Sequence, residues 1–202
     1  MSTEFSNQEL VRAASPLLVT ASARLARELR QSYDKQRISE GLVTWVAADI
    51  LPFSAWLERC WREWLYSGAA AKPVQLPRPS QEMATWEDIV GRSDEGRELL
   101  QVAATAEAAM DAWNLMCAWQ LPLNAPEWDD SSDAEAFRRW AREFQRRCKD
   151  KNWLSGALLP EFIASQLADG AIAAPEHMVL AGFNEFTPAQ ELVLESLRHK
   201  GL

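Results

Sequence analysis

The sequence predicts an α/β fold, a partial P-loop or Rossmann-like parallel sheet carrying an inserted all-helical subdomain. Three observations predict it. Near the start of the chain, short apolar runs rich in branched residues pass straight into helical periods. A proline-rich stretch ends that texture, and helices alone follow. Towards the end the strand-then-helix texture returns, as expected of one α/β layer interrupted by a helical insertion. The boundaries implied are 1–72 and 173–202 for the layer and 73–172 for the insertion. Three strands are few for a sheet, so the chain reads as the front part of a longer protein.

Taken in order, SPLLVTA predicts a strand over Pro16 to Ala21. ASARLARELRQSYDKQR continues as a helix with Leu25, Leu29 and Tyr33 on one face and Ser22 placed to cap it. After Gly41, LVTWVAADI predicts a second buried strand, and LPFSAWLERCWREWLYSG a helix burying Phe53, Trp56, Leu57, Trp61, Trp64 and Leu65. Such alternation favours parallel strands with helical crossovers. AAAKPVQLPRP, Ala69 to Pro79, is a connection. Beyond it, a helix from Ser80 to Gly91 is capped by Ser80 and buries Met83, Ile89 and Val90. A long helix from Asp94 or Glu95 to Gln120 carries Leu99, Leu100, Val102, Ala106, Met110, Trp113, Met116 and Cys117. LPLNAPEWDDSSD breaks the pattern. Helices over Asp133 to Asn152, with Phe137, Trp140, Phe144 and Cys148 on one side, and over Leu158 to Leu167 complete the insertion. HMVLAGF predicts the third strand, and Phe186 to Leu197 the last helix, with Thr187 at the N-cap and Pro188 at N1.

The 202 residues are 48% hydrophobic and 25% charged, which supports a sizeable core and excludes disordered, collagen-like and repeat classes. Against 29 acids stand 21 Lys and Arg, so the net charge of -8 requires any DNA contact to come from a local patch. Ten Trp point to a helical interior packed with indoles, each bringing one N–H to satisfy. Cys60, Cys117 and Cys148 fit neither a disulfide framework nor a zinc spacing, and His177 and His199 are too few for a His-based metal site or a hydrolytic triad. No cofactor is expected. The N-terminus MSTEFSNQELVRAAS lacks the basic start and apolar run of a signal peptide, so the expected location is the cytoplasm, with no membrane partner.

Three places could carry chemistry. The turn Thr20, Ala21, Ser22, Ala23, Arg24 joins a strand to a helix N-terminus, where free N–H groups favour an anion. It lacks the glycines and the lysine with which a P-loop wraps and reaches phosphates, so a plain strand–helix turn is the favoured reading. AGFNEF sets Asn184 and Glu185 at the end of the third strand, where a nucleoside triphosphatase keeps its magnesium-binding acid. One carboxylate beside a neutral amide is a thin ligand set, and a strand end before a capped helix also explains it. The basic helix AFRRWAREFQRRCKDKNW sets Arg138, Arg142, Arg146 and Lys149 near one stripe, at a spacing that suits a phosphate backbone. A solvated face paired with Glu135, Glu143 and Asp150 is the other reading. Trp128, among acids, suits protein docking more than DNA.

In order, SPLLVTASARLARELRQSYD, WVAADILPFSAWLERCWREWL, FRRWAREFQRRCKDKNWL and HMVLAGFNEFTPAQELVLESL resemble the N-terminal region of bacterial DNA repair proteins of the AddB and RecC kind. The most specific pieces are LVTASARLAREL, ILPFSAWL and LAGFNEFTPAQ. The resemblance implies a superfamily I helicase framework without ATP hydrolysis, its subdomain 1A matching the layer and 1B the insertion, within a longer chain ending in a PD-(D/E)xK-type nuclease. It makes Thr20 to Arg24 the degenerate nucleotide loop and Asn184 with Glu185 the degenerate Walker B pair. The function implied is non-catalytic: scaffolding the rest of its own polypeptide and holding a DNA end, duplex or single-stranded. A divergent ATPase-like domain and a protein-interaction adaptor without DNA contact are the alternatives.

Overall fold

The computed structural model describes residues 17–68, 74–97, 101–124 and 131–201. The N-terminal polar segment, Leu99, Leu100 and Trp128 therefore lie outside the described residues. The protein is α/β, with a small parallel sheet in which Leu17–Thr20 lies between Ile50–Pro52 and Met178–Ala181. The chain divides into two compact units, one drawn from Met1–Ala69, Ile163–Phe186 and Leu194–Leu202, the other from Ala70–Phe162 and Thr187–Val193.

In the first unit, β1 (Leu17–Thr20) is central and buried along its whole length, as a strand paired on both edges should be. It runs parallel to β2 (Ile50–Pro52) and β3 (Met178–Ala181), with Thr20 level with both Pro52 and Ala181. Helix α1 (Ala23–Ser39) starts where its cap predicts, the Ser22 hydroxyl accepting from the Leu25 N–H, and buries Ala26 and Leu29. Helix α2 (Phe53–Tyr66) buries Phe53, Trp56, Leu57, Cys60 and Trp64, while Trp61 and Leu65 are half-buried.

The second strand is a correction. Of the expected run only Ile50 pairs, in a strand that continues into Leu51 and Pro52, which were expected to open the helix, and Val43 and Val46 are 92% and 82% exposed. The preceding segment is tied instead to α1: the Trp45 indole donates to Asp34 and the Tyr33 hydroxyl to the Val46 carbonyl. Apolar composition signals burial only where a neighbouring strand or helix supplies cover.

In the second unit, α3 (Pro79–Arg92), α4 (Val102–Ala118) and α5 (Ser132–Asp150) enclose an aromatic core. Trp86 stacks on Phe144 at 4.5 Å, and Trp113 meets the same ring edge-on at 5.7 Å. The Trp113 indole donates to the Ser155 hydroxyl, but the buried N–H groups of Trp86 and Trp140 meet no acceptor among the described residues. Helix α3 begins one residue before the predicted Ser80 cap. Pro79 takes the first helical position and the Gln81 side chain accepts from the Arg78 N–H, so the capping residue is Arg78.

The long fourth-helix expectation also divides. A 3₁₀ turn covers Glu95–Arg97, and α4 begins only at Val102. Ser93 marks the boundary expected before it: its hydroxyl donates to the Val90 carbonyl and accepts from the Gly96 N–H, closing a tight turn at the end of α3. Helix α5 is capped by Ser131, and the 3₁₀ turn Gly156–Leu158 leads into α6 (Leu159–Ala168).

Helix α7 (Pro188–Arg198) carries the predicted cap: the Gln190 N–H donates to the Thr187 hydroxyl and the Thr187 N–H to the Gln190 side chain. All three cysteines are free thiols, pushed up to about 12, 12 and 11 at Cys60, Cys117 and Cys148 chiefly by burial. Among the described residues no helix is long and apolar enough to cross a membrane.

Glu82 is the one acid enclosed in the second unit's interior among the described residues, 7% exposed, its carboxylate accepting from the Gly156 N–H at 2.9 Å. Burial raises its pKa above the ordinary 4.5, against the pull of the Gly156 and Ser155 hydrogen bonds. A carboxyl raised by folding stabilises the fold below its unfolded pKa and loses that contribution as pH rises through the folded value. Glu82→Gln keeps an oxygen for Gly156 and removes the buried charge. Urea midpoints should be higher for the variant than for wild type at pH 7 and converge at pH 4. A variant equally weakened at both values would refute this account.

Candidate functional site: the strand ends and the basic helix

The carboxyl ends of β1 and β3 lie side by side, because Thr20 and Ala181 are in register and the Ala21 N–H donates to the Ala181 carbonyl at 3.0 Å. Ligands of open parallel sheets settle in such a place. The structure thus sets Thr20 to Arg24 beside the segment that carries Asn184 and Glu185. The meeting depends on Gly182, at φ +77°, where a Cβ would lie 2.4 Å from the Leu25 Cδ2 and 3.9 Å from the Ala21 Cβ.

The turn itself closes on its own atoms. Thr20, fully buried, donates from its hydroxyl to the Ser22 carbonyl at 2.8 Å and lies 3.4 Å from the Leu51 carbonyl. Only Ala21 and Ser22 separate β1 from α1, and the Ser22 hydroxyl already takes the Leu25 N–H. A phosphate-wrapping loop needs more backbone than this. Arg24 points away to Glu28 with its side chain 87% exposed.

Asn184 and Glu185 are exposed at the end of β3, and no cluster of three metal-ligating side chains forms among the described residues. Their loop is held by aromatic rings that the sequence reading passed over. Phe183 stacks on Phe186 at 4.8 Å and meets Phe53 nearly edge-on at 6.2 Å. The signal was there, as two Phe three apart on either side of the polar pair, but it carries no chemistry of its own.

On α5 the expected stripe of cations is largely engaged by its own surroundings. Arg142 donates to the Asn124 side chain, and Arg146 to Glu143 and Asp150. Arg147 reaches Glu143 and Asp88, Arg139 pairs with Glu95, and Arg138 is half-buried with interactions of its own. Lys149 is exposed. Hydrogen bonds from Arg146 and Arg147 hold Glu143 down at about 2, so this network persists through the neutral and mildly acidic range. A cleft of about 540 Å³ between α3 and α5 has Ile89 and Trp140 on its apolar side. Its arginines, Arg92, Arg139 and Arg147, all sit against carboxylates.

Together these features define a small parallel α/β domain whose strand ends carry no glycine–lysine loop, joined in one chain to a helical unit with an aromatic core. Compared with known proteins, the chain matches no protein-family model and no curated protein.

Proposed function

We propose that this chain is the N-terminal, helicase-like part of an AddB/RecC-like DNA repair protein, in which it scaffolds the nuclease-bearing remainder and holds a DNA end without hydrolysing ATP. On this reading the β1-to-β3 layer corresponds to subdomain 1A, the helical unit to 1B, and the protein works in the cytoplasm. The observation that carries it is the meeting of two strand ends: the segments that the resemblance matches to a nucleotide loop and a Walker B acid lie side by side. The first is closed by Thr20 and Ser22, and the second offers one carboxylate, Glu185. On this reading the position corresponds to a nucleotide site, and the residues that would bind one are missing.

The scaffolding half is supported by apolar surface left uncovered, Val43 and Val46 in the first unit and Leu115, Trp119 and Leu121 in the second. Calorimetry with ATP and magnesium should register no binding. A saturable isotherm abolished by Glu185→Ala would instead make the chain a divergent ATPase-like domain. In parallel, affinity for a fluorescent duplex with a single-stranded overhang should fall steeply with salt and ignore ATP. Absence of binding at low salt would reduce the role to protein scaffolding.

A further inference from the structure

We infer that the DNA phosphate backbone is met by the exposed face of α1, through Arg24, Arg27, Arg30 and Lys35, rather than by the stripe on α5. The inference rests on the DNA-holding function proposed above and names the surface that performs it. Helix α1 carries five cations (Arg24, Arg27, Arg30, Lys35, Arg37) and two acids (Glu28, Asp34), a net charge of +3 within a chain of -8. Helix α5 carries six cations and four acids, a net +2, and most of its cations are occupied as described.

Partnering separates the two helices further. On α1, Arg27 and Lys35 have no ion-pair partner among the described residues, and Arg30 reaches only the Ala26 carbonyl. Of the acids, Asp34 accepts from the Trp45 indole and keeps its charge, and Glu28 pairs with Arg24 across an exposed contact that salt screens, so the two together offset fewer than half of the five cations. At 100° per residue, Arg24, Arg27 and Lys35 fall on the side opposite the buried Ala26 and Leu29, with Arg30 on the flank. From Arg24 to Lys35 this face runs ~16 Å along the axis, the rise of about five successive phosphates on one DNA strand.

The choice of residues is also locally unfavourable. The first turn of α1 has no acid and contains Arg24, where the helix dipole already supplies positive potential. A cation there is locally unfavourable, offset within the helix only by the exposed pair with Glu28, and sequences depart from local preference most often where function requires it.

The test uses the whole 202-residue chain and a fluorescent duplex with an overhang, titrated over a salt series. Arg27→Glu with Lys35→Glu is compared with Arg142→Glu plus Arg146→Glu, because the two pairs change net charge equally and global repulsion cancels. The α1 pair should lose at least tenfold in low-salt affinity and about two units of log–log salt slope, one for each phosphate contact. The α5 pair should keep most of both. Arg27→Gln with Lys35→Gln, checked for unchanged helicity, should lose the same slope without reversed charge. Equal losses from both reversals, or an α1 pair with unchanged slope, would overturn the inference while leaving DNA binding standing. No DNA binding by the unaltered chain would overturn both. Competition by poly-glutamate as effective as that by DNA of equal charge would overturn the assignment to nucleic acid.

Discussion

Trp86→Ala is expected to lower the stability of the helical unit by about 3–5 kcal/mol, the range for emptying a large aromatic from a core that cannot collapse. The residue is fully buried, stacked on Phe144 and 6.4 Å from the Trp113 ring, so its removal strips partners from two further aromatics. Trp86→Phe should cost far less. The buried Trp86 N–H has no acceptor among the described residues, and phenylalanine removes that unpaired donor, worth ~1–3 kcal/mol, while keeping a ring against Phe144. Urea unfolding followed by far-UV circular dichroism measures both. A Phe variant as damaged as the Ala variant would show that ring stacking is not what Trp86 contributes.

Gly96→Ala should be comparably severe, for a different reason. A Cβ at this buried position would lie 1.7 Å from the Val90 carbonyl oxygen and 2.7 Å from its carbon. Both atoms are backbone at the end of α3, so no rotamer change relieves the overlap and the Ser93-centred turn must open. The cost should reach or exceed the upper end of the ~1–3 kcal/mol typical of overpacking. Gly91→Ala is the internal control, since its Cβ would meet only the Val102 Cγ1 at 3.4 Å, within α3. There alanine should be neutral or stabilising by up to ~1 kcal/mol, as expected for Gly replaced in a helix. Melting both variants beside wild type decides the matter. Similar transitions for the two would refute the steric account of Gly96.

Much of the fold was legible because its signals are local. The Ser22 cap, the Thr187–Gln190 box and the spacing of Phe137, Trp140, Phe144 and Cys148 each lie within a turn or two, and each element formed as they dictate. The sequence reading failed where apolar composition was taken for burial, at Leu42 to Asp49. It also failed at the start of the next helix, where the helical period was carried back to Asp94 or Glu95 although α4 begins at Val102. Of the candidate sites, the strand-end turn was placed on its correct elements, but nothing local revealed that Thr20 would bond back onto Ser22.

By itself the sequence determined the order of strands and helices, the caps at Ser22 and Thr187, the aromatic interior and the absence of a glycine–lysine loop, because these follow from residue type and short spacing. Tertiary structure alone decided which groups meet. Glu82 finds Gly156 across 74 residues, Arg147 finds Asp88 across 59, and Trp113 finds Ser155 across 42. Charge availability belongs to this second class: the cations of α5 are as prominent in the sequence as those of α1, and only packing shows which have acids within reach. The electrostatic value of a surface arginine depends on its nearest carboxylate, and the fold selects that neighbour.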